Sequence, residues 1–245
     1  MTTEYVLDHG YVKLRNISGP TRRENGDGIR LSGIQRQFDA DDIDVANAAR
    51  LSFEGQDQDR TYEMDMKLNK YLLQNQHMTP FEVIVVWLEF KLPIFVARQF
   101  IRQRTQSINE ASARYIKLPA EWYIPETVGG KAANKKQGQE DNLDFDTQAW
   151  FKEALNTSCA DNYDKYLYAL DAGIAPEHAR MFLHVNHYTH WMSTMNLRNL
   201  LISLLSLRDH SHAQIEAQLY ARAVIKLVEP HLPGIMSLYT ELVRK

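Results

Sequence analysis

Residues 82–117 read EVIVVWLEFKLPIFVARQFIRQRTQSINEASARYIK, and the architecture turns on them. Glu82 to Leu92 is dense in Val, Ile, Trp and Phe. These residues suit a pleated, half-buried surface, so the segment predicts a strong strand. Pro93 then presets φ for a first helical turn, and a helix is predicted through Phe95, Val96, Gln99, Phe100 and Arg102. From Arg98 to Lys117 the passage holds five basic residues and one acid, Glu110.

Working outward, Tyr5 to Ile17 alternates loosely and predicts strand, and Ser18 to Gly33 has loop composition. Asp41 or Asp42 is placed to cap a helix through Val45, Ala48, Ala49 and Leu51. Met64, Leu68, Tyr71 and Leu72 form the apolar stripe of a helix over Arg60 to Asn75. Thr79 before Pro80 has the form of an N-cap followed by a first-turn proline. Glu126 to Asp146 is polar and predicts an exposed loop. Beyond it, helices are expected over Trp150 to Ala172, from Pro176 towards Leu183, over Asn196 to Leu207, over His212 to Val228 and after Pro233. Tyr188 to Met195 predicts extended chain. The sum is an α+β protein, helix-rich, with few strands.

The chain has 245 residues, 44% hydrophobic and 24% charged, with a net charge of -3. One large domain over residues 1–245 is expected, with an inserted loop at about 17–40. The single cysteine, Cys159, excludes a disulfide framework or a multi-cysteine metal site within one chain, and fits a reducing compartment. Val83 to Val96, the most apolar stretch, is broken by Glu89, Lys91 and Pro93 and is too short to span a bilayer. A cytoplasmic protein without membrane attachment is the expectation. Mild acidity argues against a nucleic-acid coat but leaves room for a local anion site. With no glycine-rich turn of the GxGxxG or Walker type, a Rossmann site or P-loop is not expected.

Arginine forks match phosphate oxygens bidentately, and Ser107, Asn109 and Ser112 add short hydrogen-bonding groups beside them. On a helix Gln99 and Arg102 would share a face. The segment therefore suits a phosphorylated small molecule or a nucleic-acid backbone; the plainer alternative is a solvated basic helix end. His184, His187 and His190 recur every third residue, but a helix would spread them and a strand would turn His187 away. With no HExxH pattern, no metal is expected. Cys159 is expected to be a small buried residue, and Trp150, Tyr163, Tyr166 and Tyr168 core or interface.

Arg102-Gln103-Arg104, seven residues, then Ser112 resembles the Arg-His-Arg, seven residues, Ser signature of the flavin-dependent thymidylate synthases, with Gln103 where the family usually has histidine. Ile94 to Gln99 before it and Ser107, Asn109-Glu110 and Arg114-Tyr115 after it are also similar. A second block is His77 with Thr79-Pro80-Phe81-Glu82. A third is Asn196-Leu197-Arg198, then Leu207-Arg208 and Ser211-His212-Ala213-Gln214. The spacing from Asn196 to Arg208 is one residue longer than usual, which leaves the flavin-contacting position at Ile202 or Ser203. The likeness runs from about Tyr5 to Tyr220.

The resemblance implies a helix-rich α+β domain with a small antiparallel sheet, assembled as a homotetramer whose sites draw on several subunits. It implies synthesis of dTMP from dUMP, with methylenetetrahydrofolate as carbon donor, FAD as hydride carrier and NADPH as reductant. Gln99, Phe100, Ile101 and Arg102 would then contact dUMP, as would a loop of Glu110, Ala111, Ser112, Ala113 and Arg114, and Arg180. Arg208 would be catalytic, holding the uracil as its N3 proton is lost. Thr79, Arg102, Gln103, Arg104, Glu110, Asn196, Leu197 and Arg198 would bind FAD, with His77 and His212 near the flavin and folate. Two other readings stay open: a non-catalytic phosphate- or nucleic-acid-binding helical protein, and a flavin- and nucleotide-binding relative without turnover.

Overall fold

In the computed structural model, which describes residues 2–20, 40–51, 61–131 and 139–244, the quoted strand occupies the middle of a five-stranded antiparallel sheet. In chain order the elements are β1 (Thr3–Val6), β2 (Gly10–Ser18), α1 (Ile43–Arg50), α2 (Tyr62–Gln74), a 3-10 turn (Thr79–Val83), β3 (Val85–Pro93) and α3 (Ile94–Phe100). Then follow β4 (Ser107–Glu110), β5 (Gly129–Lys131), β6 (Gln139–Asn142), α4 (Phe145–Asp171), α5 (Pro176–Ala179), a second 3-10 turn (Arg180–Phe182) and β7 (Tyr188–Asn196). The chain closes with α6 (Leu197–Asn199), a π-helical turn (Leu200–Leu205), α7 (Ser206–Arg208), α8 (Ile215–Val228) and α9 (Pro233–Leu242). The main sheet runs β1-β2-β3-β7-β4, so the expected helix-rich α+β fold with a small antiparallel sheet is present.

Alternation sets its two faces. Val86, Leu88, Phe90 and Leu92 of β3 are wholly buried and pair with Met195, Ser193, Trp191 and Thr189 of β7. Val12, Leu14 and Ile17 of β2 complete that face, and Tyr220 and Val224 of α8 are buried in the same core. Each such apolar side chain contributes about 1.5–3 kcal/mol of burial.

Side-chain hydrogen bonds move several boundaries away from the sequence expectation. The strand begins at Val85 because Thr79–Val83 closes a 3-10 turn first. Thr79 is not its N-cap; Met78 holds that position, with Pro80 in the first turn. α3 stops at Phe100, since the Phe100 carbonyl accepts from Gln103 N–H (3.0 Å) and from Gln106 Nε2 (2.7 Å). Gln99 and Arg102 therefore share no helical face. The expected loop at Glu126 to Asp146 contains the β5–β6 hairpin, and α4 starts at Phe145 because the Asp144 carboxylate accepts from Thr147 N–H at 2.9 Å. α8 starts at Ile215, which leaves His212 in the preceding turn. Tyr166 is core, whereas Trp150 and Tyr168 face solvent. Of the expected insert at about 17–40, residues 21–39 lie outside the described residues, as does Arg60, the expected start of α2. Among the described residues no helix is long and apolar enough to cross a membrane.

Asp42 occupies the N-cap position of α1 but makes no cap bond there. Its buried carboxylate instead accepts from Gly234 N–H (2.8 Å), Ile235 N–H (2.9 Å) and Tyr62 Oη (2.7 Å), capping α9 across the molecule. Asp42→Ala removes that cap and orphans three donors. We expect a loss of about 2–3 kcal/mol, read as a thermal midpoint lower by roughly 4–10 °C. An unchanged midpoint would remove Asp42 from this role.

Candidate functional site

The expected site residues fall in three groups, two around the end of α3 and the start of α6 and a third at the other end of β4. In the first, Arg208 closes α7 and donates through Nη2 to the carbonyl of Gln99, while Gln99 Nε2 donates to Gln214 Oε1. Arg208 is half-buried, and burial lowers its pKa from the ordinary arginine value by disfavouring the charged form. Among the described residues no carboxylate pairs with it. A desolvated guanidinium bonded to a neutral carbonyl, with donors to spare, is poised for an anionic or electron-rich ring.

The second group joins the arginine loop to α6. Asn196 caps α6, its Oδ1 accepting from Asn199 N–H at 2.9 Å, and Asn199 Nδ2 donates to the Thr105 carbonyl at 3.3 Å. Gln103 donates to Thr105 Oγ1 in the same loop. Arg198 pairs with Glu82 at 2.8 Å, tying α6 to the turn that carries Thr79. Arg102 and Arg104 are exposed, and among the described residues neither has a carboxylate partner. This density of free cations fits a diphosphate-bearing group such as FAD. His77 and Thr79 are exposed on the adjoining turn, with the His77 ring edge-on to Tyr71.

The third group is the turn after β4. Ala111 N–H donates to the His190 carbonyl (2.8 Å), and the Ser112 carbonyl accepts from Tyr115 and Ile116 N–H (2.9 and 3.1 Å). Ser112 Oγ accepts from Arg114 N–H at 3.3 Å. Glu110 Oε1 accepts from the buried Thr189 hydroxyl at 2.5 Å. Arg114 lies over the Tyr115 ring and within 3.6 Å of Glu177 on α5, and Arg180 follows α5, exposed. Ile101 is exposed at the C-terminal end of α3.

Phe100, Ala113 and Leu197 point inward and bury their side chains. Any ligand contact they make runs through the backbone, and the Leu197 N–H is already given to the Ile84 carbonyl at 2.9 Å. His212 is exposed, 5.1 Å ring to ring from His210. Between Asn196 and Arg208 the chain makes a π turn, in which Ser206 N–H reaches back to Leu201. The Ile202 carbonyl that this turn bypasses is taken by Ser206 Oγ at 2.5 Å. Ile202 and Ser203 are both partly buried, and Ile202 packs against the core.

Gln106 was not singled out in the sequence, yet it locks the loop. Besides the Phe100 carbonyl it donates to that of Gln103 (3.1 Å) and accepts from buried Ser193 at 2.7 Å. A glutamine in a polar run carries no signal of this.

The three spaced histidines fall in three environments. His184 Nε2 meets Asn162 at 2.7 Å; His187 is buried against the Tyr163 ring, where burial pushes its pKa down; His190 pairs with Glu89 at 2.9 Å. Among the described residues no cluster of three His, Cys, Asp or Glu could hold a metal. Cys159 is buried against Asn186, and burial pushes its thiol up, making it a poor nucleophile.

A family model described as thymidylate synthase complementing protein matches residues 35–234. A flavin-dependent thymidylate synthase of Gluconobacter oxydans is 35% identical over 241 residues, 96% of this chain and 72% of the relative. Those of Anaplasma marginale and Kosmotoga olearia are each 39% identical, the first over 96% of this chain and 74% of its own, the second over 93% and 89%. Among solved structures, the UMP/dUMP methylase PolB of Streptomyces cacaoi bound with 5-Br dUMP superposes with a TM-score of 0.80 at 26% identity, covering 98% of this chain and 99% of that one. Its complex with 5-Br UMP gives 0.79.

Proposed function

The chain belongs to the flavin-dependent thymidylate synthase family, and from that premise we propose that it is an enzyme that methylates dUMP at C5 to give dTMP with FAD as cofactor. The observation that carries this reading is the Arg208 guanidinium, half-buried, held on the Gln99 carbonyl and beside the arginine loop. C5 of uracil is a weak nucleophile, and a cation at the pyrimidine stabilises the negative charge that develops as N3 loses its proton. Arg208 is the catalytic residue in this sense. Gln99, Ile101, Arg102 and the Glu110–Arg114 turn bind the nucleotide together with Arg180, the arginines meeting its phosphate. Phe100, Ala111 and Ala113 shape that surface through their backbone.

Arg102, Gln103, Arg104, Thr79, Glu110, Asn196, Leu197 and Arg198 would hold FAD, with Ile202 or Ser203 facing it and His77 and His212 close to the flavin and folate. When bound, FAD supplies the hydride, while the chain binds and orients. Methylenetetrahydrofolate is the carbon donor and NADPH the reductant in this proposal. Buried Cys159 supplies no nucleophile, so activation of C5 falls to electrostatics. We further read residues 1–245 as one domain, a homotetramer in the cytoplasm that binds no nucleic acid. Thr79 on one surface, and Arg114 and Arg180 beside the Ser112 turn on another, are exposed, which supports a site completed by neighbouring subunits.

Gln103 at the usual histidine position favours a second reading, a relative that binds flavin and nucleotide without turnover. Anaerobic incubation of the FAD-loaded protein with dUMP, methylenetetrahydrofolate and NADPH separates the two. Formation of dTMP is the expected result. Tight dUMP binding without product would establish the second reading, and a protein that takes up no FAD would overturn both.

A further inference from the structure

Arg208 is followed directly by an acid that it does not touch. Asp209 leaves the helix (φ -92°, ψ 47°), donates its N–H to the Leu205 carbonyl at 2.7 Å and buries its side chain to 1% exposure. Oδ1 takes the hydrogen bonds, whereas Oδ2 has an ion-pair contact and no aligned hydrogen bond. Arg222 Nε of α8 lies 3.1 Å from Oδ1, and Arg244, just past α9, brings Nε to 2.7 Å from Oδ2 and Nη2 to 3.4 Å from Oδ1. Each cation is itself placed. Arg222 Nη2 also donates to Gln218 at 3.0 Å, and the N–H groups of Val243 and Arg244 both bond the Tyr239 carbonyl, turning Arg244 back towards Asp209. Arg244 lies beyond the residues that the family model matches.

A half-buried guanidinium without an acidic partner will pair with the nearest unshielded carboxylate. One residue away, Asp209 would be that partner, and a captured Arg208 would lower the apparent affinity for substrate by the fraction withdrawn. We propose that Arg222 and Arg244 are positioning residues that sequester Asp209 and thereby keep the Arg208 guanidinium free for the pyrimidine of dUMP. This rests on the assignment of Arg208 to the substrate.

The test is calorimetric titration of the FAD-loaded protein with dUMP. Arg244→Ala weakens dUMP binding about five- to tenfold at unchanged FAD content, and Arg244→Lys keeps most of the affinity. Adding Asp209→Asn to Arg244→Ala removes the competitor and returns binding to within about twofold of the parent. Should Arg244→Ala loosen the fold, Arg222→Gln with and without Asp209→Asn gives the same comparison. A merely structural role would not be rescued by neutralising Asp209. Parental binding in both single variants, or weakened binding that Asp209→Asn leaves uncorrected, overturns the proposal. Arg208→Ala serves as the control: if it binds dUMP like the parent, the assignment beneath the proposal fails, an outcome distinct from a failure of the clamp.

Discussion

Arg208→Ala is expected to lower dTMP formation by about 10²–10³-fold while the protein keeps its FAD, the range seen when one pre-aimed donor is removed from a developing charge. The guanidinium is held on the Gln99 carbonyl, so its position is set before the substrate arrives. Its partial burial weakens competition from water, which makes the charge more effective than one on the surface. FAD should stay because its proposed contacts lie on the Arg102–Arg104 loop and on α6, secured by the Arg198–Glu82 pair and by Asn199 on Thr105. Arg208→Lys keeps the charge but loses the planar fork, and with it the simultaneous reach to Gln99 and the ring. It should fall between parent and alanine variant. Product formation in a single turnover, with flavin absorbance recording occupancy, reads both effects. An alanine variant with parental turnover would show that the pyrimidine is activated elsewhere.

The parts of this site that the sequence made legible are those whose cause is local. Val85–Pro93 alternates and is rich in β-formers, and it forms β3. Pro93 closes β3 and is the extended N-cap of α3, one position before the first-turn place expected of it, and the segment expected to be extended, Tyr188 to Met195, lies in β7. The residues of the arginine loop and of Asn196–Arg198 could be picked out because they recur in family order, and the structure does join them through Asn199 and Thr105. What escaped the sequence depends on partners far along the chain. Asp42 looks like a local cap and serves a helix some 190 positions away. The end of α3 is decided by Gln106, and the freedom of Arg208 by Arg222 and Arg244. The π turn before Arg208 has no mark in the apolar run Leu200–Leu205 and shows only in the backbone. The polar β5–β6 hairpin lacks the apolar alternation by which a strand is recognised.

Gly10→Ala should destabilise the protein by about 3 kcal/mol or more, although the change is a single methyl. Gly10 pairs with Val6 where β1 turns into β2, and an added Cβ would lie 1.9 Å from Tyr220 Oη, 2.6 Å from the Val6 carbonyl and 2.9 Å from the Lys91 carbonyl. Two of those atoms are backbone. The third belongs to a wholly buried tyrosine whose hydroxyl donates to the Lys91 carbonyl at 2.7 Å. The hairpin cannot readily back away, because Asp8 at its tip accepts from Ile124 N–H at 3.2 Å and from Tyr188 Oη at 2.5 Å. The expected drop in thermal midpoint is roughly 6–12 °C. Combining Gly10→Ala with Tyr220→Phe removes the nearest clash but keeps both carbonyls, so the pair should be less destabilising than the sum of the singles by about 1 kcal/mol. The effect also reaches the site. The Tyr220 ring packs edge-on against Phe100 at 6.4 Å, and Phe100 follows Gln99, whose carbonyl holds Arg208. A displaced Tyr220 should therefore weaken dUMP binding in the folded Gly10→Ala protein, with recovery in the double variant. A parental midpoint for Gly10→Ala would mean that the hairpin is far softer than its hydrogen bonds require.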